Sequence, residues 1–331
     1  MDLATFSVVA SLDLPARVDE DRVGDAVIEN DEVLILSPYR SSYFRTSTRP
    51  PFVVTETVLS RAPKGIASVG GQAFLRFSSD PSQILAHASG RTDSTISVGS
   101  PARGFATGWG KLYVSTSGGQ ISEIDPGTRT EIRRLAACPT AAAPAVVGSQ
   151  TVLSACGSGG IGVLDLMTSS FVVESSALVF SEVAGKEGQP YALVSQSNFG
   201  ASVGDGATRV FSPGGGFAPS AAYGVLSAPP AFIGSHAIAT KVRFADLYRG
   251  WGEPTLIDLT TGHEKSLPGF TLMTPGNGPI EARVVSTGSM VLIANGEDGA
   301  YKMLLDFVDG ATGVAVHAPV TLPPPPSLPP N

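Results

Sequence analysis

Four short stretches of the chain say nearly the same thing. Asp125-Pro-Gly-Thr128, Asp165-Leu-Met-Thr168, Asp258-Leu-Thr-Thr261 and Asp309-Gly-Ala-Thr312 each place an Asp-x-x-Thr turn behind an apolar, strand-like run. The spacings are 40, 93 and 51 residues, and 93 is close to two units of about 46. A turn that returns at this period means one supersecondary unit used repeatedly. Such a unit cannot bury its apolar face alone and must stack on its neighbours. The turn itself needs only local chemistry. An Asp side chain accepts hydrogen bonds from backbone N–H groups two residues on, and the Thr hydroxyl adds a bond across the turn. These aspartates are therefore turn residues and not catalytic ones.

Seven units can be drawn, each holding four short strand-like runs: 25–60, 66–101, 104–139, 142–180, 181–221, 222–273 and 282–320. Four strands per unit is the content of one β-propeller blade. The third unit is the clearest, with GFATGWG, KLYVSTS, QISEIDPGT and TEIRRLA in succession. No long helical period competes. The expected fold is all-β, a single propeller over 1–320 with seven four-stranded blades, six or eight being the alternatives. A strand at 5–14 (TFSVVASLDL) is expected to help close the ring, and a Pro-rich tail at 321–331 to lie extended outside any sheet.

The strand-Asp-x-x-Thr-Gly-strand unit, as in LIDLTTGHEKSLPG and SEIDPGTRTEIRRL, resembles the blade repeat of the YVTN and quinoprotein-like propellers. It is similar to WD repeats in spirit but lacks their Trp-Asp pair. The resemblance covers four of the seven units and implies the fold. Proteins of this kind include adhesins, enzyme subunits and scaffolds, so it implies little about activity.

Composition narrows the partners. The net charge is −7, with six Lys against sixteen Arg and no basic run, which argues against binding a nucleic-acid backbone. No run of 18 apolar residues exists, and the first fifteen residues lack the basic region of a secretory signal, so no membrane insertion is expected. Cys138 and Cys156 are too few for a disulfide framework; two buried free thiols are the expectation, with a single bond as the alternative. Gly157-Ser-Gly-Gly-Ile-Gly162 matches a dinucleotide fingerprint by letter, but VLDL follows it where a helix would be needed, so it reads as a glycine-rich hairpin loop. His87, His236, His263 and His317 stand at no metal-ligand spacing. No cofactor, catalytic residue or metal ligand is assigned.

The strongest binding candidate is 241–252, read as a long loop in the sixth unit, which gathers Arg243, Phe244, Tyr248, Arg249 and Trp251. Aromatic and Arg side chains dominate recognition hot spots. Tyr39, Arg40 and Tyr43 in the first unit form a second, weaker group. The expected role is a non-catalytic binding or scaffold propeller with a protein partner. The low Lys and abundant Ser, Thr, Gly and Pro suit a component of an extracellular particle such as a phage virion or tail; a cytoplasmic location is the alternative. Two other functions stay open. One is carbohydrate binding through the loop aromatics. The other is a metal-dependent hydrolase at the channel mouth, which similarity to propeller lactonases would place on Glu29, Asn30, Asn198, Asn277 and Glu297.

Overall fold

The computed structural model describes residues 26–321 with interruptions, the longest at 197–205, 274–282 and 310–319; residues 1–25 and 322–331 lie outside the described set. Among the described residues there is no helix, and the strands form seven antiparallel sheets, six of four strands and one of six. The first comprises β1 (Ala26–Glu29), β2 (Glu32–Ser37), β3 (Ser42–Ser47) and β4 (Thr55–Val58). The second comprises β5 (Pro63–Val69), β6 (Gln72–Phe77), β7 (Gln83–His87) and β8 (Ser94–Ser97). β9 (Ala102–Gly108), β10 (Lys111–Thr116), β11 (Gln120–Asp125) and β12 (Thr130–Ala136) make the third. β13 (Ala145–Val147), β14 (Thr151–Ala155), β15 (Ile161–Asp165) and β16 (Phe171–Glu174) make the fourth. The fifth holds β17 (Phe180–Ala184), β18 (Ala192–Gln196), β19 (Ala207–Ser212) and β20 (Gly216–Tyr223). The sixth adds short strands to its meander: β21 (Val225–Leu226), β22 (Ala231–Ile233), β23 (His236–Asp246), β24 (Arg249–Asp258), β25 (Glu264–Ser266) and β26 (Leu272–Met273). The seventh holds β27 (Arg283–Thr287), β28 (Met290–Glu297), β29 (Lys302–Asp309) and β30 (Val320–Thr321).

Each sheet is a meander, and the first strands of successive sheets lie against one another: β1 on β5, β5 on β9, β9 on β13 and β13 on β17. Such stacking about an axis is the β-propeller architecture the repeat predicts. The core sits between the sheets. Leu34, Leu36, Tyr43 and Leu75 fill the space between the first and second. Phe74, Ile84, Leu112, Val114 and Ile124 fill the next. Tyr113, Ile121, Val152 and Leu164 follow, then Leu153, Phe180, Val194 and Phe211. β10 shows why the inner strands read as continuous apolar runs. Side chains alternate between the two faces of a strand. Leu112 and Val114 pack towards the second sheet, while Tyr113 packs towards the fourth. Both faces are covered, so the two-residue period leaves no polar side.

The Asp-x-x-Thr turns join third strands to fourth strands. The Asp125 Oδ1 accepts from the Thr128 N–H at 2.9 Å and from its hydroxyl at 3.2 Å. Asp165 Oδ1 accepts from the N–H groups of Met167 and Thr168 at 2.8 and 2.9 Å, and Asp258 Oδ1 from those of Thr260 and Thr261 at 2.8 Å each. These donors favour the charged carboxylate and hold all three groups below the usual aspartate range. Asp125, which also bonds the Lys111 ammonium, is lowered to about 2. The residue after each Thr is left-handed: Arg129 (φ 58°), Ser169 (φ 58°) and Gly262 (φ 75°). In the fourth stretch, Asp309 ends β29 and residues 310–312 lie outside the described set.

These turns lie on the same face of the molecule as the hairpins between first and second strands. Gln72 donates its amide to the Pro126 carbonyl of the next sheet, and the Trp109 N–H donates to Glu187 Oε2 at 2.7 Å. The opposite face, the hairpin face, carries the connections between second and third strands.

Two expectations are corrected here. Cys138 and Cys156 are not free thiols; they form a disulfide, with Cα atoms 5.1 Å apart. The bond ties the segment after β12 to the end of β14, across the boundary between the third and fourth sheets. The spacing in sequence gave no hint of this, because only the stacking of two sheets brings the residues together. Thr321 belongs to β30 and pairs with Leu304, so the sheet takes in the first residue of the Pro-rich segment. The expected closure strand at 5–14 and the rest of the tail lie outside the described residues.

Candidate functional site

The first strands of the second to fifth sheets and the start of the sixth line a cavity of about 500 Å³ on the axis, open to solvent. Its wall comes from Ile66 and Ala67 on β5, Phe105 and Ala106 on β9, Ala145 and Val146 on β13, Val183 and Ala184 on β17, and Phe232 on β22. Small residues keep the space open. At Gly104 an added Cβ would meet the Cα of Ala143 at 2.3 Å, and at Gly185 it would meet the Val146 carbonyl oxygen at 2.5 Å. The inner strands therefore approach each other as closely as glycine allows, and the lumen is lined mostly by Ala, Val and Pro.

Glu182 on β17 is the one ionisable side chain among the described residues of this wall. Its side chain is exposed where it lines the cavity. Partial desolvation by its apolar neighbours raises its carboxyl above the usual glutamate range. Sequence reasoning missed Glu182 because its significance comes from apolar neighbours contributed by other sheets. Nothing within SEVAGK marks it.

The segment 241–252 is not a loop. It is the distal part of the β23–β24 hairpin, whose strands run 11 and 10 residues, against five or six in the second and third strands of the first five sheets. In register, Arg243 stands opposite Trp251, Phe244 opposite Gly250, and Asp246 opposite Arg249. The extension is itself flanked: β21 pairs with β23 at Val242 and Lys241, and β26 pairs with β24 at Trp251 and Gly252. Four strands thus carry the region beyond the ordinary edge of a sheet, which is why a glycine-punctuated segment is ordered as strand. β28 and β29, at 8 residues each, also run long, and β27 packs against β22 and β23. The hairpin face is therefore raised over the sixth and seventh sheets. Tyr248 lies outside the described residues.

Of the second group, Tyr43 is a core residue, only 1% exposed, between the first and second sheets. It cannot offer a recognition surface, because β3 turns it inward. Tyr39 and Arg40 lie outside the described residues; the ends of β2 and β3 that flank them are on the hairpin face.

Tyr43 belongs to a cluster that the sequence did not reveal. The His87 Nδ1 lies 2.8 Å from Asp93 Oδ1 and 3.2 Å from the Tyr43 hydroxyl, and its Nε2 lies 3.8 Å from Glu32 Oε2. Burial, the dominant cause, raises the Tyr43 hydroxyl above its ordinary range. The cluster fastens β2 and β3 to β7. His236 bonds Ser235 at 3.1 Å and His263 reaches Ser220 at 3.4 Å, while His317 lies outside the described residues.

Of the five oxygen ligands considered for a metal, Glu29 ends β1 at a first-to-second hairpin, whereas Glu297 ends β28 at a second-to-third hairpin. These positions are on opposite faces, so the two do not share a site. Asn30, Asn198 and Asn277 lie outside the described residues. Among the described residues no three His, Cys, Asp or Glu side chains gather as a metal site. The glycine-rich stretch from Gly157 runs between β14 and β15, both strands, with Gly157 (φ 60°) and Gly160 (φ 105°) in conformations that suit glycine. No helix of the described residues is long and apolar enough to cross a membrane.

No protein-family model matches the chain, and no curated protein matches it in sequence. Solved structures do resemble it. The computationally designed Ika8 protein aligns with TM-score 0.63 at 12% identity, covering 90% of this chain and 87% of its own. Apo AztD from Citrobacter koseri aligns with TM-score 0.59 at 10% identity, covering 89% and 85%. BamB from Moraxella catarrhalis aligns with TM-score 0.52 at 15% identity, covering 89% and 84%. At these identities the likeness is one of fold.

Proposed function

We propose that the protein is a non-catalytic propeller that binds a macromolecular partner through its hairpin face, as a scaffold or assembly component. The observation that carries this reading is the asymmetry of that face. The β23–β24 hairpin outgrows those of the first five sheets and is braced by β21 and β26. Extending and bracing a hairpin does nothing for a propeller core, which lies between the sheets. The extension carries Arg243, Phe244, Arg249 and Trp251, with Tyr248 between its strands in sequence, and Tyr39 and Arg40 fall in a connection between second and third strands. Arg and aromatic residues supply planar hydrogen bonding and large apolar area at low entropic cost, as interface centres require. The Cys138–Cys156 bond fits the expected extracellular particle, because cytosolic thiols are kept reduced. The repeated Asp-x-x-Thr turn keeps the YVTN-like repeat as the nearest description of the blades.

The test is native capture on the full chain with mass spectrometry, comparing wild type, the double variant Arg243→Ala/Trp251→Ala and a chain ending at Thr321. The end point keeps β30 intact. A partner held by wild type and the shortened chain but lost by the double variant supports the reading, provided the variant melts like wild type. Loss only on shortening moves the dock to the tail. Retention of a glycan on an array, abolished by Trp251→Ala, would replace the protein partner with a carbohydrate.

A further inference from the structure

We propose that the axial cavity is a binding site for an apolar organic monocation, an amine or quaternary ammonium on a hydrocarbon body, with Glu182 as its counter-ion. At about 500 Å³ the cavity falls within the range that holds small organic ligands. Its walls are mostly hydrocarbon, with Phe105, Val146, Ala184 and Phe232 among the lining residues. Into this surface the fold places one carboxylate and no basic group among the described lining residues. No described residue gives Glu182 a hydrogen bond or an ion pair, and the nearest charges along its own chain, Lys186 and Glu187, lie past the end of β17. The Lys186 ammonium is directed to the Phe232 carbonyl at 3.5 Å. The apolar wall desolvates this exposed carboxylate in part, and a cation held in the cavity would offset that cost.

The chemistry selects among ligands. A divalent metal ion needs several oxygen donors, and the wall supplies one carboxylate. An anion is repelled. A neutral apolar molecule gains the hydrocarbon contact but leaves the carboxylate unpaired. An organic cation satisfies both features. This site is independent of the hairpin face, so either assignment can fail without the other.

The experiment is calorimetric titration of the full chain with octyltrimethylammonium, 1-octanol and octanoate, below their aggregation limits. The expected order is cation tightest, alcohol weaker by about tenfold, and carboxylate weakest. Glu182→Gln should cost the cation about tenfold in affinity and leave the alcohol unchanged. In wild type the preference for the cation should fade as the pH drops through the raised carboxyl range of Glu182, because protonation removes the counter-charge. Absence of binding by the cation overturns the proposal. So does a cation affinity that Glu182→Gln leaves intact, or one that octanoate equals.

Discussion

At the scale of single residues, the same turn position tolerates three different side chains at different cost. Arg129, Ser169 and Gly262 each follow the Thr of an Asp-x-x-Thr turn, and each is left-handed. A left-handed L-residue costs roughly 1–2 kcal/mol, offset in part by the entropy that glycine loses on folding. Ser169→Gly should therefore stabilise the protein by about 0.5–1 kcal/mol in urea titration. Gly262→Ala should do the reverse by about 2 kcal/mol or more, because an added Cβ would also lie 2.4 Å from the Ser220 carbonyl oxygen. Equal effects at the two positions would show that the turn conformation is not what the substitutions report. The carboxylates of these turns predict an acid dependence as well. Asp125 is lowered to about 2, so its contribution is present above the ordinary aspartate range and is lost as the pH falls towards 2. The stability gap between wild type and Asp125→Asn should be present at neutral pH and close in that acidic window; a gap that widened on acidification would refute the assignment. These turns were legible in the sequence because their chemistry is local. Glu182, His87 and Tyr43 were not, because burial and partners from other sheets give each its character.

At the scale of elements, the outer strands differ in how they guard their free edges. β12 carries Glu131, Arg133 and Arg134, with Arg133 paired to Glu123 at 2.6 Å and Arg134 to Glu131 at 2.7 Å. β20 contains Pro219. β16 reads Phe-Val-Val-Glu, with Val172 54% and Val173 42% exposed and neither Lys nor Pro to discourage pairing. Val172→Lys should slow aggregation on heating, followed by light scattering, while the melting midpoint moves little. An unchanged aggregation rate would clear β16 as the vulnerable edge. Sequence reasoning found the strands where alternation and turns agreed, as in β9 to β12. It read 241–252 as a loop because Gly250 and Gly252 punctuate the segment and no hydrophobic period is visible there. Pairing with β21 and β26, which are 2 residues each, decides the matter, and so short a strand carries no signal of its own.

At the scale of the whole molecule, the repeat predicts stacked sheets but not what the stacking brings together. Residues on β5, β9, β13, β17 and β22 meet at the axis, although their neighbours in sequence reveal nothing of it. The disulfide is the second such product of stacking. Cys138 and Cys156 stand 18 residues apart, and the bond spans the boundary between two sheets, one of the joints at which a propeller can open. Gly162 lies beside it: an added Cβ there would meet Cys138 Sγ at 2.9 Å, Ser154 Oγ at 2.7 Å and the Phe171 ring at 2.7 Å, so the joint is closely packed. Closing a loop of this length removes conformational freedom from the unfolded chain worth about 3 kcal/mol. Reduction, or the double variant Cys138→Ala/Cys156→Ala, should therefore lower stability by about 3 kcal/mol, read as an earlier urea midpoint. The double variant should be indifferent to reductant, while wild type shifts towards it. Thiol titration of unreduced, denatured wild-type protein should find no free thiol. Two free thiols in that measurement would return the pair to the status of buried apolar residues and leave the third and fourth sheets joined by packing and hydrogen bonds alone.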